Sequence, residues 1–150
     1  MRTIFAYSIA LVFLFAASSC TKENRNERRL AGVWQLEKIT TETFENNVSV
    51  SSTDTTIDAV IQLLNTDGIE NPAYFEGFQP FPTDYCNWDI AYKNPKLIKF
   101  YLINVDLSII YTYYYNIEKL NSKKMILSRY NADQELNILE KTTWHLKKER

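Results

Sequence analysis

Leu30-Ala31-Gly32-Val33-Trp34-Gln35-Leu36-Glu37-Lys38-Ile39 is the stretch whose reading decides the fold. A glycine two residues ahead of a tryptophan, followed by apolar and polar residues in alternation, describes a strand. The glycine lets the chain turn tightly into a sheet, and the alternation buries the large ring on one side. Side chains of a strand point alternately to its two faces, so Trp34, Leu36 and the stem of Lys38 share one face. Val33, Gln35, Glu37 and Ile39 share the other. The even face is expected to point inward.

The same period of two returns further along the chain. Residues 85–92 set Trp88, Ile90 and Tyr92 against Asn87 and Asp89 until Asn94-Pro95 breaks the run. A strand over 96–103 follows, and residues 108–117 then place Ile109, Tyr111, Tyr113, Tyr115 and Ile117 on one face. Residues 124–130 align Met125 with Leu127. The last segment aligns Leu136, Ile138, Thr142, Trp144 and Leu146, with Leu139 and Glu140 breaking the pattern.

Between the first strand and residue 85 the pattern is weaker. Residues 40–56 are rich in Thr, Ser, Asn and Asp and accommodate one or two polar strands around a turn at Asn46-Asn47. Residues 57–64 read as a strand ahead of the turn at 65–68. Residues 69–83 carry Pro72, Gly77, Pro80 and Pro82 together with Tyr74, Phe75, Phe78 and Phe81. They read as a long ordered loop whose rings must cover something. Strands joined by short turns make an all-β, antiparallel up-and-down meander of about eight strands. Such a meander closes into a barrel to remove its edges, and the last strand is then expected to pair with the first.

Upstream of Leu30 the composition changes. Met1-Arg2 gives a short positive start, and residues 4–17 form an apolar run interrupted only by Ser8, too short to span a bilayer. Residues 21–29 are wholly polar and dense in both charges, the composition of a tether that builds no core. The expected organisation is a signal peptide over 1–19, a tether over 20–29 and a β-barrel domain over 30–148.

With 150 residues the chain has material for one domain. A net charge of −1 leaves no basic excess to hold a phosphate backbone, so nucleic acid is not an expected partner. His145, the single histidine, is expected at the surface of the last strand. Catalysis would need a nucleophile and an orienting carboxylate beside it, and no spacing supplies them, so no enzyme activity and no cofactor is expected. One histidine and one spare cysteine make no zinc set, and the acidic residues lack a calcium-loop spacing. Cys86 is either a small buried hydrophobe near Trp88 or a thiol open to chemistry. Tyr111, Tyr113 and Tyr115, with Trp88, either pack the wall of the barrel or line a site for a mostly apolar guest.

Ala17-Ser18-Ser19-Cys20 resembles the lipobox of bacterial lipoproteins. The resemblance implies cleavage before Cys20, a diacylglycerol thioether on its sulfur, and attachment to the bacterial cell envelope through the membrane. Thr21 stands where inner-membrane retention typically uses aspartate, which implies the outer membrane. A lipidated Cys20 would also leave Cys86 without an intramolecular disulfide partner.

Beyond the tether the chain resembles the lipocalin-like lipoproteins of Bacteroidetes. The residues that carry the likeness are Leu30, Gly32 and Trp34, the Asp67-Gly68 turn, Trp88, and the step Ile117-Glu118-Lys119-Leu120 into the 124–130 strand. Thr83-Asp84-Tyr85 matches a lipocalin triplet in letters but not in position. The resemblance implies a barrel, a basic side chain from a late strand covering Trp34 (Arg129 or Lys147), and a small hydrophobic ligand. The bulk of Trp34, Leu36, Trp88, Tyr113 and Trp144 points to the other reading. In it the barrel is filled by its own side chains and its surface or Phe-rich loop docks on another envelope protein.

Overall fold

In the computed structural model the described residues are 22–66, 70–82, 85–91, 93–104, 109–133 and 138–149. Residues 1–19, read above as a signal peptide, lie outside them, as do Cys20, Thr21, Asp67-Gly68, Thr83-Asp84, Tyr92 and Leu136.

A short helix, α1 (Lys22–Leu30), leads into eight strands. These are β1 (Gly32–Glu45), β2 (Val48–Leu63), β3 (Asn71–Glu76), β4 (Tyr85–Ile90), β5 (Leu97–Asn104), β6 (Ile109–Leu120), β7 (Lys124–Asp133) and β8 (Ile138–Lys148). Each pairs antiparallel with the next, and β8 returns to β1, so the sheet is a closed barrel in simple chain order. Closure gives every strand two neighbours and removes the open edges of a flat meander.

The alternation sorts side chains as the sequence predicts over most of the barrel. Trp34 and Leu36 of β1, Cys86, Trp88 and Ile90 of β4, Tyr115 and Ile117 of β6 face the core. So do Met125 and Leu127 of β7 and Trp144 and Leu146 of β8. The β1–β2 hairpin turns through Asn46 and Asn47, at φ 50° and 65°. Two successive left-handed residues match the twist of a tight hairpin, and asparagine tolerates that region well.

Three expectations are corrected. The even face of β1 does not continue to Lys38. Pairing shifts between Leu36 and Lys38 against both neighbours: Glu37 is an extra residue of β1 against the adjacent Leu146 and His145 of β8, whereas against β2 the extra residue lies in β2, between Thr56 and Ala59. The bulge exchanges the faces: Ile39 is buried, and Lys38 reaches outward to Asp54 at 2.8 Å.

Residues 69–83 are not all loop, because Asn71–Glu76 is the strand β3. Pro72 is tolerated because it stands just outside the β2 ladder, which begins at Leu63 and Ala73, where its missing N–H leaves no bond unmade. Its carbonyl still accepts from the Leu64 N–H at 2.9 Å.

The segment read as a tether is helical from Lys22 to Leu30, with Arg28 and Arg29 in its last turn, where cations suit the helix dipole.

Candidate functional site

Two parts of the barrel hold the residues singled out in the sequence: the end closed by α1, and a column of rings through the interior.

At the closed end, Trp34 is completely buried and its Nε1 donates to the Leu30 carbonyl at 2.7 Å. Lys148 lies over the ring at 4.9 Å and donates to the carbonyls of Ala31 at 2.7 Å and Arg29 at 3.2 Å. One side chain therefore serves two ends: its ammonium meets the carbonyls that a helix leaves unpaired at its C-terminus, and it faces the π surface of the tryptophan. Burial holds the Lys148 ammonium below its ordinary pKa.

Gly32 makes room for this contact. It adopts φ 132°, and a Cβ there would sit 2.8 Å from Lys148 Cε. The basic residue that covers Trp34 is thus Lys148, not Lys147 or Arg129. The parity of β8 held the signal, since Lys148 shares a face with Trp144 and Leu146.

The interior column is built from four strands and one loop. Phe75 of β3, Phe100 of β5, Tyr113 and Tyr115 of β6 and Trp144 of β8 come from the strands, while Phe78 and Phe81 come from the segment after β3. Gly77, at φ 75°, starts that segment close against β2, where a Cβ would meet the Asp58 carbonyl oxygen at 3.0 Å. The chain then turns inward. Phe81 is buried, with ring centroids 4.7 Å from Tyr113, 5.3 Å from Phe75 and 5.5 Å from Phe100. Phe78 meets Trp144 edge-on at 5.5 Å, and Tyr115 lies 4.5 Å from Trp144. The edge-to-face and tilted geometries are those that aromatic quadrupoles favour.

The four candidate lining residues part company here. Tyr113 and Tyr115 belong to the column, and Arg129 lies 4.9 Å from the Tyr113 ring. Burial pushes the Tyr115 phenol up to about 12, although the neighbouring Arg129 opposes the shift. Tyr111 shares their face but is exposed. Trp88 is fully buried and donates its Nε1 to the Leu64 carbonyl at 3.0 Å, a use that fixes the β2–β3 connection to β4.

His145 is half-buried rather than at the open surface. It lies in an outward-facing polar chain in which Lys38 contacts Asp54, and the Thr40 hydroxyl donates to Asp54 Oδ1 at 2.7 Å. The same hydroxyl oxygen is 3.1 Å from His145 Nε2. Since Thr40 gives its one proton to the carboxylate, its oxygen accepts from Nε2–H. Activation of the hydroxyl as a nucleophile needs the opposite polarity, with the imidazole accepting and the carboxylate orienting the imidazole. Burial and then the Lys38 charge hold the His145 pKa below 6.5 against the pull of Asp54. Asp54 is itself held below the ordinary carboxylate value by hydrogen bonds from Lys38 and Thr40. Among the described residues, no cluster of three His, Cys, Asp or Glu side chains has the geometry of a metal site.

Cys86 is buried, and removal from water pushes its thiol up to about 12. At pH 8 only about one such thiol in ten thousand is ionised. In the Cys20→Ser variant, iodoacetamide is expected to leave the native protein unmodified and to add one carbamidomethyl group after unfolding in guanidinium. Stoichiometric labelling of the native protein would show that this strand opens.

Comparison of the chain with family models, curated proteins and solved structures finds no match.

Proposed function

We propose that this chain is a lipid-anchored protein of the bacterial cell envelope, held at the outer membrane through Cys20. In this reading its lipocalin-like barrel is a non-catalytic interaction domain that docks on another envelope protein. The observation that carries the docking reading is the aromatic column. Seven rings occupy the centre of the barrel, and two of them come from the β3–β4 connection rather than from a strand. An interior occupied by its own side chains has little volume for a guest, which moves recognition to the outside. The surface offers exposed large side chains for it: Val48 and Val50 on β2, and Ile110, Tyr111 and Tyr114 on β6. The anchor rests on the positive start, the apolar run and the small residues before Cys20.

A second reading draws on the origin of Phe78 and Phe81. Because they belong to a loop and not to the wall, a small hydrophobic molecule that displaced them would find Tyr113, Tyr115 and Trp144 behind them. That is the carrier function implied by the lipocalin likeness, with the plug as competitor to the ligand.

The anchor is tested first. Replacing Cys20 with serine is expected to move the protein from the membrane pellet to the supernatant and to abolish the acyl mass increment on the mature N-terminal peptide. A variant that stays in the pellet, or a wild-type peptide without acyl mass, would overturn the lipoprotein assignment.

A further inference from the structure

The closed end of the barrel gathers most of the positive charge of the described chain. Arg25, Arg28 and Arg29 of α1 are exposed there. The β4–β5 turn adds Lys93 and Lys96, and Asn26 of the helix donates to the Pro95 carbonyl of the same turn at 2.6 Å. The β6–β7 turn adds Lys119, Lys123 and Lys124, and the end of β8 adds Lys147 and Lys148, tied to that turn by the Lys148 N–H to Lys123 carbonyl bond at 2.9 Å. Against these ten cations stand five acids, Glu27, Glu37, Glu70, Glu118 and Glu149, of which Glu37 lies 3.8 Å from the Lys147 ammonium. The opposite rim has the reverse balance, with Glu42, Glu45, Asp54, Asp133 and Glu140 around Lys38, Arg129 and Lys141, of which Lys38 is paired to Asp54.

A near-neutral protein is therefore strongly polarised along its barrel axis. The helix through which the chain enters from Cys20 lies at the positive end. A groove of about 830 Å³ opens at the same end between Gln35, Glu37, Ser122, Lys123, Lys147, Lys148 and Glu149, large enough for a phosphate headgroup and carrying three ammonium groups against two carboxylates.

We infer that the α1 end of the barrel is a membrane-facing surface that engages anionic lipid headgroups, so that the barrel stands with its acidic rim away from the bilayer. The inference rests on the proposed anchor for its biological setting and on the charge distribution for its physics. A single attachment point fixes distance but not orientation, whereas a basic surface near anionic headgroups is drawn to them within a Debye length. An acidic rim opposes the inverted orientation by the same law.

The test uses full-length protein extracted in detergent and reconstituted with vesicles of phosphatidylcholine alone or mixed with phosphatidylglycerol. Lysines are acetylated with sulfo-NHS-acetate and read by mass spectrometry. On phosphatidylglycerol vesicles in low salt, Lys123, Lys124 and Lys147 are expected to be protected several-fold relative to phosphatidylcholine vesicles. The protection is lost in high salt, and Lys141 is labelled equally throughout. The charge reversals Lys123→Glu and Lys124→Glu, both at exposed positions, are expected to abolish the protection of Lys147. Equal labelling at both ends on both vesicle types would overturn the inference. So would equal protection by millimolar inorganic phosphate without vesicles, which would assign the groove to a soluble anion. Flotation with phosphatidylcholine vesicles in high salt reads the anchor separately, so failure of the anchor and failure of the orientation give different results.

Discussion

Trp34→Ala is expected to lower the stability of the barrel by about 3 to 5 kcal/mol, read as a fall in the midpoint of denaturant unfolding with an unchanged slope. The ring is fully buried, so its removal leaves a cavity at the end of the core. It also takes away the Nε1 donor to Leu30 and the surface on which Lys148 rests. The Leu30 carbonyl and the Lys148 ammonium would then each lose a partner in a site that water reaches poorly, which adds to the cavity cost. Lys148→Met, which keeps much of the packing but removes the cation, is expected to cost less. An unchanged midpoint for Trp34→Ala would mean that the ring is not the closing element of the barrel.

Phe81→Ala is the second large effect, about 3 kcal/mol from loss of a buried ring at the centre of the column. Four aromatic neighbours lose a contact together: Phe75, Phe100, Tyr113 and Trp144. Since Phe81 is delivered by a loop, the strands and their pairing are expected to survive. The variant should keep the far-ultraviolet spectrum of the parent while it acquires binding of a fluorescent hydrophobic probe such as anilinonaphthalene sulfonate. A variant with parental stability and no probe binding would show that the loop does not plug the barrel.

The barrel could be read from the sequence because most of its strands bury one face only. Where that holds, as in β6 through Tyr113, Tyr115 and Ile117 or in β8 through Trp144 and Leu146, the period of two is plain and the inward residues follow from it. The first strand was legible up to Leu36 and then misleading, since a bulge adds one residue without altering composition. Only the apolar Ile39 following the charged Lys38 hints at the change of face.

β3 was hidden by Pro72, which argues against a strand except at a position such as the one it occupies, opposite Asn87 of β4 but outside the ladder with β2. The outer half of β2 gave no pattern for a different reason: Val48 to Thr56 is exposed on both faces, so nothing selects alternation there.

The candidate site was legible in part. The requirement that Phe78 and Phe81 cover something was visible in the sequence, but not that they turn into the barrel, since this depends on Gly77 hugging β2. The separation of Tyr111 from Tyr113 and Tyr115 depends on which rings meet them inside the barrel, Phe81, Phe100 and Trp144 from other parts of the chain, and no single strand encodes that.

A barrel that fills itself is the premise of the proposed docking function, and native mass spectrometry of the Cys20→Ser protein tests it most directly. After incubation with an excess of mixed long-chain fatty acids and sterols, the account predicts a single species at the mass of the polypeptide and no rise in melting temperature. A stoichiometric adduct of a few hundred daltons that raises the melting temperature would contradict it and would make the Phe78 and Phe81 loop the gate of a carrier.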